Sequence, residues 1–195
     1  MGLKRIGLLG GAFDPPHLGH LILASEAYAA AKLDEVWFLP SYIPPHMERK
    51  HAATVSDAEK RIAMLRLAIA DNPNFDLCTV EMDRKGKSYT YDTIKHLNAA
   101  YPDAQFYFII GADMVNDLPN WYRFAELKQQ VKFLATTRAG VNIHPIEGMA
   151  IDYFDMPMIE ISSTDIRSRY RSEKPWQYFL PKQVKTYIEE NGLYD

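Results

Sequence analysis

Short runs of β-forming residues alternate along the chain with longer segments in which apolar residues recur at helical spacing. We expect strands at residues 5–10, 35–39, 75–82, 105–110, 131–137 and 150–154. We expect helices at residues 18–32, 56–70, 91–100, 124–130, 163–171 and 182–191. A strand followed by a helix and another strand is the building unit of a parallel sheet. The pattern therefore predicts an α/β fold with a doubly wound parallel sheet and helices on both faces.

The length and composition favour one domain with one site. The chain has 195 residues, 47% of them hydrophobic, and neither a repeat nor a low-complexity linker divides it. We therefore expect a single domain over residues 1–195. In a doubly wound sheet, ligands bind at the carboxyl ends of the strands, where the direction of the crossovers reverses. The residues that follow the first, third and fourth predicted strands are the candidates for that site.

Charge and cysteine content limit the partners and the compartment. A formal net charge of -3 provides no overall basic field, so nucleic acids are poor candidates as partners. No apolar run approaches the roughly 20 residues that span a bilayer, and the first residues lack the apolar segment of a signal peptide. Cys78 is the single cysteine, which suits a reducing compartment. We expect a cytoplasmic protein that binds neither nucleic acid nor membrane, and the sequence leaves homo-oligomer formation open.

The first predicted strand leads into a glycine-rich turn and two histidines, GGAFDPPHLGH at residues 10–20. Gly10 and Gly11 allow the backbone to approach a ligand closely, although the run has neither the G-x-G-x-x-G fingerprint nor the lysine of a Walker A loop. Two prolines after Asp14 can start a helix, which places His17 and His20 in its first turn. Both imidazoles can then face one anion. Surface histidines, or metal ligands together with Asp14, are the alternatives.

A second run that suits a phosphate lies near the C-terminus, ISSTDIR at residues 161–167. Its hydroxyl residues can cap the start of a helix, and the N-terminus of a helix attracts anions. Arg167 follows in the next turn and adds a charged, bidentate donor. Taken alone, such a pattern more often marks an ordinary capped helix with a solvated arginine.

Together, the two runs resemble the signatures of the nucleotidyltransferase α/β phosphodiesterase superfamily, whose H-x-G-H and I-S-S-T-x-I-R elements bind the phosphates of a nucleoside triphosphate. The resemblance implies a Rossmann-like nucleotidyltransferase fold, ATP as substrate, and Mg²⁺ bound through the ATP phosphates rather than at a protein metal site. It implies that His17, His20 and Arg167 are catalytic. The residues that it assigns to ATP binding are Gly10, Gly11, Ala12, Phe13, Gly111, Asp113, Ser162, Ser163 and Thr164. Ala12 departs from the family, which usually has Ser or Thr there, so only its backbone N–H remains available.

The middle of the chain indicates the acceptor. SYTYDT at residues 88–93, GAD at 111–113 and NWY at 120–122 resemble elements of the bacterial nicotinate mononucleotide adenylyltransferases, and the resemblance runs over practically the whole chain. Trp121 would offer an aromatic face to the pyridine ring, and the backbones of Thr90 and Tyr122 would bind its carboxylate. Asp113 would contact a ribose hydroxyl. The residues that the resemblance assigns to nicotinate mononucleotide are Ser88, Thr90, Trp121, Tyr122 and His46.

The residues themselves leave other interpretations open. Trp121 could serve core packing, and the run at 88–93 could be a helix cap. Met47 stands where relatives commonly have a lysine. The resemblance implies transfer of the adenylyl group of ATP to nicotinate mononucleotide in NAD biosynthesis. The alternatives are adenylyl or cytidylyl transfer to another phosphorylated acceptor, and a nucleotide-binding module without catalysis.

Overall fold

The computed structural model describes residues 2–43, 56–137 and 142–195. Within them, one parallel sheet contains the strands β1 Lys4–Gly11, β2 Glu35–Pro40, β3 Phe75–Leu77, β4 Ala104–Ile110, β5 Lys132–Thr136 and β6 Ile151–Phe154. The helices are α1 Leu18–Ala30, α2 Ala58–Ile69, α3 Val80–Arg84, α4 Thr90–Ala100, α5 Ala112–Val115, α6 Phe124–Leu127, α7 Ser163–Arg171 and α8 Lys182–Glu190, with short 3-10 turns at Leu118–Asn120 and Gln177–Phe179. None of these helices is long and apolar enough to cross a bilayer.

The sheet changes its direction of growth between β1 and β4. The strands lie in the order β3-β2-β1-β4-β5-β6, and β1 pairs in parallel with both β2 and β4. This is the strand order of doubly wound nucleotide-binding folds, in which a crevice opens where the order reverses. The prediction of a Rossmann-like, doubly wound parallel sheet is confirmed. The ends of β1 at Gly11 and of β4 at Ile110 border that crevice.

Helices cover both faces of the sheet because apolar side chains point alternately to its two sides. In β4, Phe106 and Phe108 contribute to the core on one face, while Tyr107 and Ile109 contribute to the core on the other. The first core is completed by α4, α5 and α6, and the second by α1, α2, α7 and α8. The sheet thus lies between two apolar cores, and the crevice opens at the carboxyl ends of its strands.

The strand predicted at residues 75–82 is wrong in its second half. Only Phe75–Leu77 pair with β2, at the edge of the sheet, and the chain then turns into α3. Thr79 and Val80 are β-branched and favour a strand locally, but α3 buries Glu81 and Met82. Tertiary burial therefore overrides the local preference.

Candidate functional site

Two stacked histidines stand at the start of α1, directly after the loop that follows β1. His17 is the N-cap of α1 and His20 is its third residue, and their ring centroids lie 3.7 Å apart. The backbone N–H of His17 donates to Nδ1 of His20 over 3.2 Å. In a neutral imidazole this leaves the proton on Nε2. His20 can therefore present an N–H donor to a ligand while its other nitrogen caps the helix.

Burial keeps both imidazoles neutral at pH 7. Desolvation lowers the pKa of His17 to about 4. Desolvation and, second, the charge of His17 lower the pKa of His20 well below 6.5. Nδ1 of His17 is buried and has no hydrogen-bond partner among the described residues. A capping-box arrangement directs the His17 side chain toward the backbone of His20, but without a hydrogen bond of normal geometry.

Two neighbours set the positions of these rings. A Cβ atom on Gly19 would lie 3.0 Å from Nδ1 and 3.1 Å from Cε1 of His17, so glycine lets the His17 ring lie close over the helix start. Phe13 packs its ring edge against His20, with centroids 4.9 Å apart, and its backbone is left-handed at a φ of 51°. Because the Phe13 side chain is fully buried, only its backbone can meet a nucleotide.

The second motif lies against the first. Ser162 caps α7 with its hydroxyl. Ser163 donates from Oγ to the carbonyl of Pro15 over 2.8 Å, and Arg167 donates from Nη1 to the carbonyl of Asp14 over 2.6 Å. The structure thus brings together two segments that lie almost 150 positions apart in the sequence. Arg167 is half-buried and its other nitrogen, Nη2, donates to the hydroxyl of Thr164 over 3.3 Å, which leaves part of its donor fork for an anion.

A cavity of about 460 Å³ lies beside the start of α1 and is lined by the segments that follow β4, β5 and β6; the predicted residues 10–13 and 162–164 are not among those that line it. The predicted ATP-binding residues Gly111 and Asp113 line it together with His17 and His20. A Cβ atom on Gly111 would lie only 2.6 Å from Oδ1 of Asp113, so the carboxylate can fold back over this position only because it is a glycine. Met158 and Ile159 provide apolar walls farther along the cavity. Its shape and lining suit a nucleotide, with polar groups at one end and an apolar surface at the other.

The predicted acceptor elements meet at the start of α4. Thr90 is the first residue of α4, so its backbone N–H has no partner within the helix. The ring of Tyr122 lies beside this helix start, with its centroid 4.6 Å from that of Tyr89 and 6.2 Å from that of Tyr91. Thr90 and Tyr122, which the sequence assigned to the same ligand, therefore lie in neighbouring segments.

Trp121 is half-buried and packs against the core. Its ring meets Phe108 edge to face, with centroids 5.7 Å apart, and lies 6.3 Å from Phe133. Its Nε1 is buried and has no partner among the described residues. A tryptophan that is buried in a core usually finds a partner for its N–H. Core packing therefore accounts for the ring of Trp121 but not for its unpaired donor.

Ser88 faces the protein interior. It is buried, its Oγ accepts the backbone N–H of Tyr42 over 2.9 Å, and its hydroxyl is hydrogen-bonded to the carboxylate of Glu81. The O–H is thus used within the protein, and the hydroxyl does not point toward the crevice as a free donor. His46 and Met47 lie outside the described residues.

Arg61 is a buried charged residue near the site that the sequence reasoning missed. It lies in the first turn of α2, and its guanidinium donates to backbone carbonyls that include those of Ala12 and Ser41. Arg61 shares a helical face with Met64 and Leu65, three and four residues farther on, and both are buried. A cation in an otherwise apolar stripe is the signal that could have found it.

Glu81 was also missed, because its segment was interpreted as a strand. Its carboxylate is buried and accepts the hydroxyl of Thr93 over 2.7 Å as well as that of Ser88. Burial raises the pKa of Glu81. Glu81 therefore holds both ends of the segment that contains Thr90.

Asp14 has a structural role in the same turn. Its carboxylate is 1% exposed; Oδ1 accepts the hydroxyl of Tyr194 over 2.6 Å and Oδ2 accepts the backbone N–H of Ser56 over 2.9 Å. Both oxygens are therefore engaged. Within the described ranges, no three His, Cys, Asp or Glu side chains lie together as a metal site.

Comparisons with known proteins identify the family of this chain and relatives of its fold. Residues 8–169 match the family described as cytidylyltransferase-like. Over 193 residues, 99% of this chain and 100% of the relative, the chain is 47% identical to nicotinate-nucleotide adenylyltransferase of Bacillus subtilis (strain 168). Its fold is similar to that of Plasmodium falciparum nicotinic acid mononucleotide adenylyltransferase complexed with APC, with a TM-score of 0.80, 20% identity and 98% of each chain covered. The same Plasmodium protein complexed with NaAD gives a TM-score of 0.81, again at 20% identity and with 98% of each chain covered.

Proposed function

This chain belongs to the family of nicotinate-nucleotide adenylyltransferases, and we infer that it transfers the adenylyl group of ATP to nicotinate mononucleotide. The products are nicotinate adenine dinucleotide and pyrophosphate, and the reaction belongs to NAD biosynthesis. The structural observation that supports this best is the meeting of the two phosphate motifs, in which Ser163 and Arg167 bond to the turn just before His17. The described strands belong to one sheet, and residues 1–195 are proposed to form one domain.

ATP is proposed to bind in the cavity beside the start of α1 and the segments that follow β4, β5 and β6. The apolar walls at Met158 and Ile159 suit its base, and the carboxylate of Asp113 suits a ribose hydroxyl. The backbone of residues 10–13 and the start of α7 would face the phosphates, because free N–H groups at a helix start bind anions. Mg²⁺ would be bound through the phosphates of ATP rather than by protein side chains, and it would offset part of their charge.

The chemistry requires alignment and charge neutralisation rather than a base. The 5′-phosphate of nicotinate mononucleotide is already an anion at neutral pH, so one of its oxygens can attack the α-phosphorus directly. A bond forms to that phosphorus as the bond to the bridging oxygen breaks, and pyrophosphate leaves with the electron pair. Nε2–H of the neutral His20 would donate to the α-phosphate, with His17 beside it, while Arg167 holds the departing pyrophosphate.

The acceptor is proposed to bind between the start of α4 and the segment that carries Trp121. The backbone N–H groups of Thr90 and Tyr122 would hold the nicotinate carboxylate, and Trp121 would offer its ring and its unpaired N–H. Ser88 supports this site through Tyr42, and a contact from His46 stays a prediction.

Pyrophosphate release tests the proposal. ATP and Mg²⁺ are supplied with nicotinate mononucleotide, nicotinamide mononucleotide or phosphopantetheine as parallel acceptors. We expect release with nicotinate mononucleotide far above the others, and its loss in His20→Ala. Release with another acceptor alone would refute the acceptor assignment and keep the phosphate motifs. No release with any acceptor would favour a nucleotide-binding module without catalysis.

A further inference from the structure

A single buried arginine connects three chain segments beneath the crevice. Arg61 is 2% exposed. Its Nη1 donates to the carbonyl of Ala12 over 3.0 Å and to that of Ser41 over 2.7 Å. Its Nε donates to the carbonyl of Ser56 over 3.1 Å, and its Nη2 to that of Tyr42 over 3.3 Å. The loop after β1, the end of β2 and the approach to α2 therefore meet at one guanidinium.

The bonding of Arg61 is unusual for a buried cation, because every hydrogen-bond partner described for it is a backbone carbonyl. Burial lowers its pKa and the nearby charge of Asp14 opposes that shift, and a guanidinium stays protonated under these conditions. A buried charge is expensive unless its donors are used. Core packing alone would be served by an apolar residue, as at Met64 on the same face. The contacts that Arg61 makes with these carbonyls are therefore what distinguish it from its neighbours in α2.

Hydrogen bonds continue from Arg61 toward both proposed substrate sites. On one side, Ala12 belongs to the loop that would face the ATP phosphates. On the other side, the carbonyl of Tyr42 accepts from Arg61, and the backbone N–H of Tyr42 donates to Oγ of Ser88 over 2.9 Å. The backbone N–H of Ser88 donates in turn to the carbonyl of Ile43 over 3.0 Å. Ser88 lies two positions before Thr90, so the chain of bonds ends at the proposed acceptor site.

We propose that Arg61 is a positioning residue that couples the ATP site to the acceptor site. Phosphates that bind the backbone of residues 10–13 restrict the motion of the loop that holds Ala12. Through its hydrogen bonds to Ala12 and Tyr42, Arg61 then restricts the motion of Tyr42 and Ser88 as well. The second ligand then meets a site that is already ordered and pays less conformational entropy. The coupling is reciprocal, so acceptor bound near Thr90 also tightens the nucleotide. This inference rests on the proposed function.

Calorimetry tests the coupling. The dissociation constant of nicotinate mononucleotide is measured with and without a saturating ATP analogue that has a methylene bridge between the α- and β-phosphorus. In the wild type we expect the analogue to tighten the acceptor by about fivefold or more, the lower end of typical coupling between sites. Arg61→Lys keeps the charge but cannot reach the carbonyls of Ala12 and Tyr42 together, so the ratio of the two dissociation constants should fall toward one. Arg66→Lys, on the exposed side of α2, should keep the wild-type ratio.

Ser88→Ala provides a second variant that leaves Arg61 in place. It removes the acceptor for the backbone N–H of Tyr42, so it should also lower the ratio of the two dissociation constants. If a thermal melt shows that Arg61→Lys does not fold, Ser88→Ala provides the test of coupling. A wild-type ratio near one, or an unchanged ratio in these variants, overturns the proposal. Wild-type pyrophosphate release is measured alongside. Turnover without coupling refutes the role of Arg61 alone, whereas absence of turnover refutes the function on which it rests.

Discussion

The hydroxyl of Tyr194, next to the last residue of the chain, donates to Oδ1 of Asp14 in the turn before the two histidines, over 2.6 Å. Both groups are buried, and Asp14 shifts the pKa of Tyr194 upward in addition to the larger effect of burial. A residue near the C-terminus therefore stabilises the turn that is proposed to bind ATP.

Tyr194→Phe should destabilise the protein without changing its fold. It removes a donor from a buried carboxylate, and an unsatisfied buried group costs about 1–3 kcal/mol, or more for a charge. The free energy of unfolding in urea measures the loss. Tyr178→Phe is the control, because Tyr178 is 82% exposed and should change stability by less than about 0.5 kcal/mol. Equal stability of the two variants would contradict a role for the Tyr194 bond.

His20→Asn should separate the two nitrogens of His20. Asparagine can still accept the backbone N–H of His17 at the position of Nδ1, but it places nothing at the position of Nε2. We expect kcat to fall by on the order of 10²–10³, as for the loss of one preorganised donor, while the melting temperature changes little. His20→Ala should lose activity to the same extent and stability as well. Wild-type turnover in His20→Asn would show that Nε2 is not the donor.

Gly19→Ala should lower activity through the position of His17. The added Cβ would lie 3.0 Å from Nδ1 of His17, so the ring must shift by a few tenths of an ångström or more. Shifts of this kind are expensive in catalysis because the reacting groups are held in narrow geometry. A drop in kcat of about tenfold or more with an unchanged circular dichroism spectrum would agree with this. Gly2→Ala, where no atom lies within 4 Å of the added Cβ, should behave as the wild type.

Acid should destabilise the protein over a pH window that His17 defines. Folded His17 stays neutral down to about pH 4, whereas the unfolded chain takes up this proton near pH 6.5. Between these values the unfolded state binds more protons, so the free energy of unfolding decreases as the pH decreases. The full effect is on the order of 3 kcal/mol, and His20 acts in the same direction.

Urea unfolding at pH 7, 6 and 5 measures this slope. His17→Asn should flatten it, and replacement of the exposed His96 by asparagine should leave it as steep as in the wild type. A wild-type stability that does not change over this range would mean that His17 is not desolvated in the folded protein.

The sequence predicts most of the sheet because its strands carry their own signal. The short, aromatic-rich apolar run that ends at Ile110 favours a buried strand, and the glycines at the end of β1 mark where that strand stops. The edge strand β3 makes only three register pairs with β2, so little in its own residues determines where it ends. Local β-propensity at Thr79 and Val80 then gives the wrong extent.

The residues of the candidate site also fall into two groups: those that the sequence indicates and those that it does not. His17, His20, Ser163 and Arg167 could be proposed as site residues from the sequence because each belongs to a compact motif whose residues lie near one another in the chain. Arg61 and Tyr194 could not be, because their partners Ala12 and Asp14 lie 49 and 180 positions away in the sequence, and no local pattern names so distant a partner. Glu81 could not be, because its segment favours a strand locally. Burial of a charge is decided by tertiary structure.

Because Ser163 and Arg167 bond to the carbonyls of Pro15 and Asp14, the proposed triphosphate pocket would form only after α7 has packed against the turn before α1. A nascent polypeptide that has emerged as far as β5 already carries both histidines, yet it lacks the helix that would close around the pyrophosphate. If α7 binds the phosphates as proposed, competence to bind ATP would arise late in synthesis. Once it does, the nucleotide itself favours the completed chain over any partly folded one, since a ligand stabilises only the state that binds it.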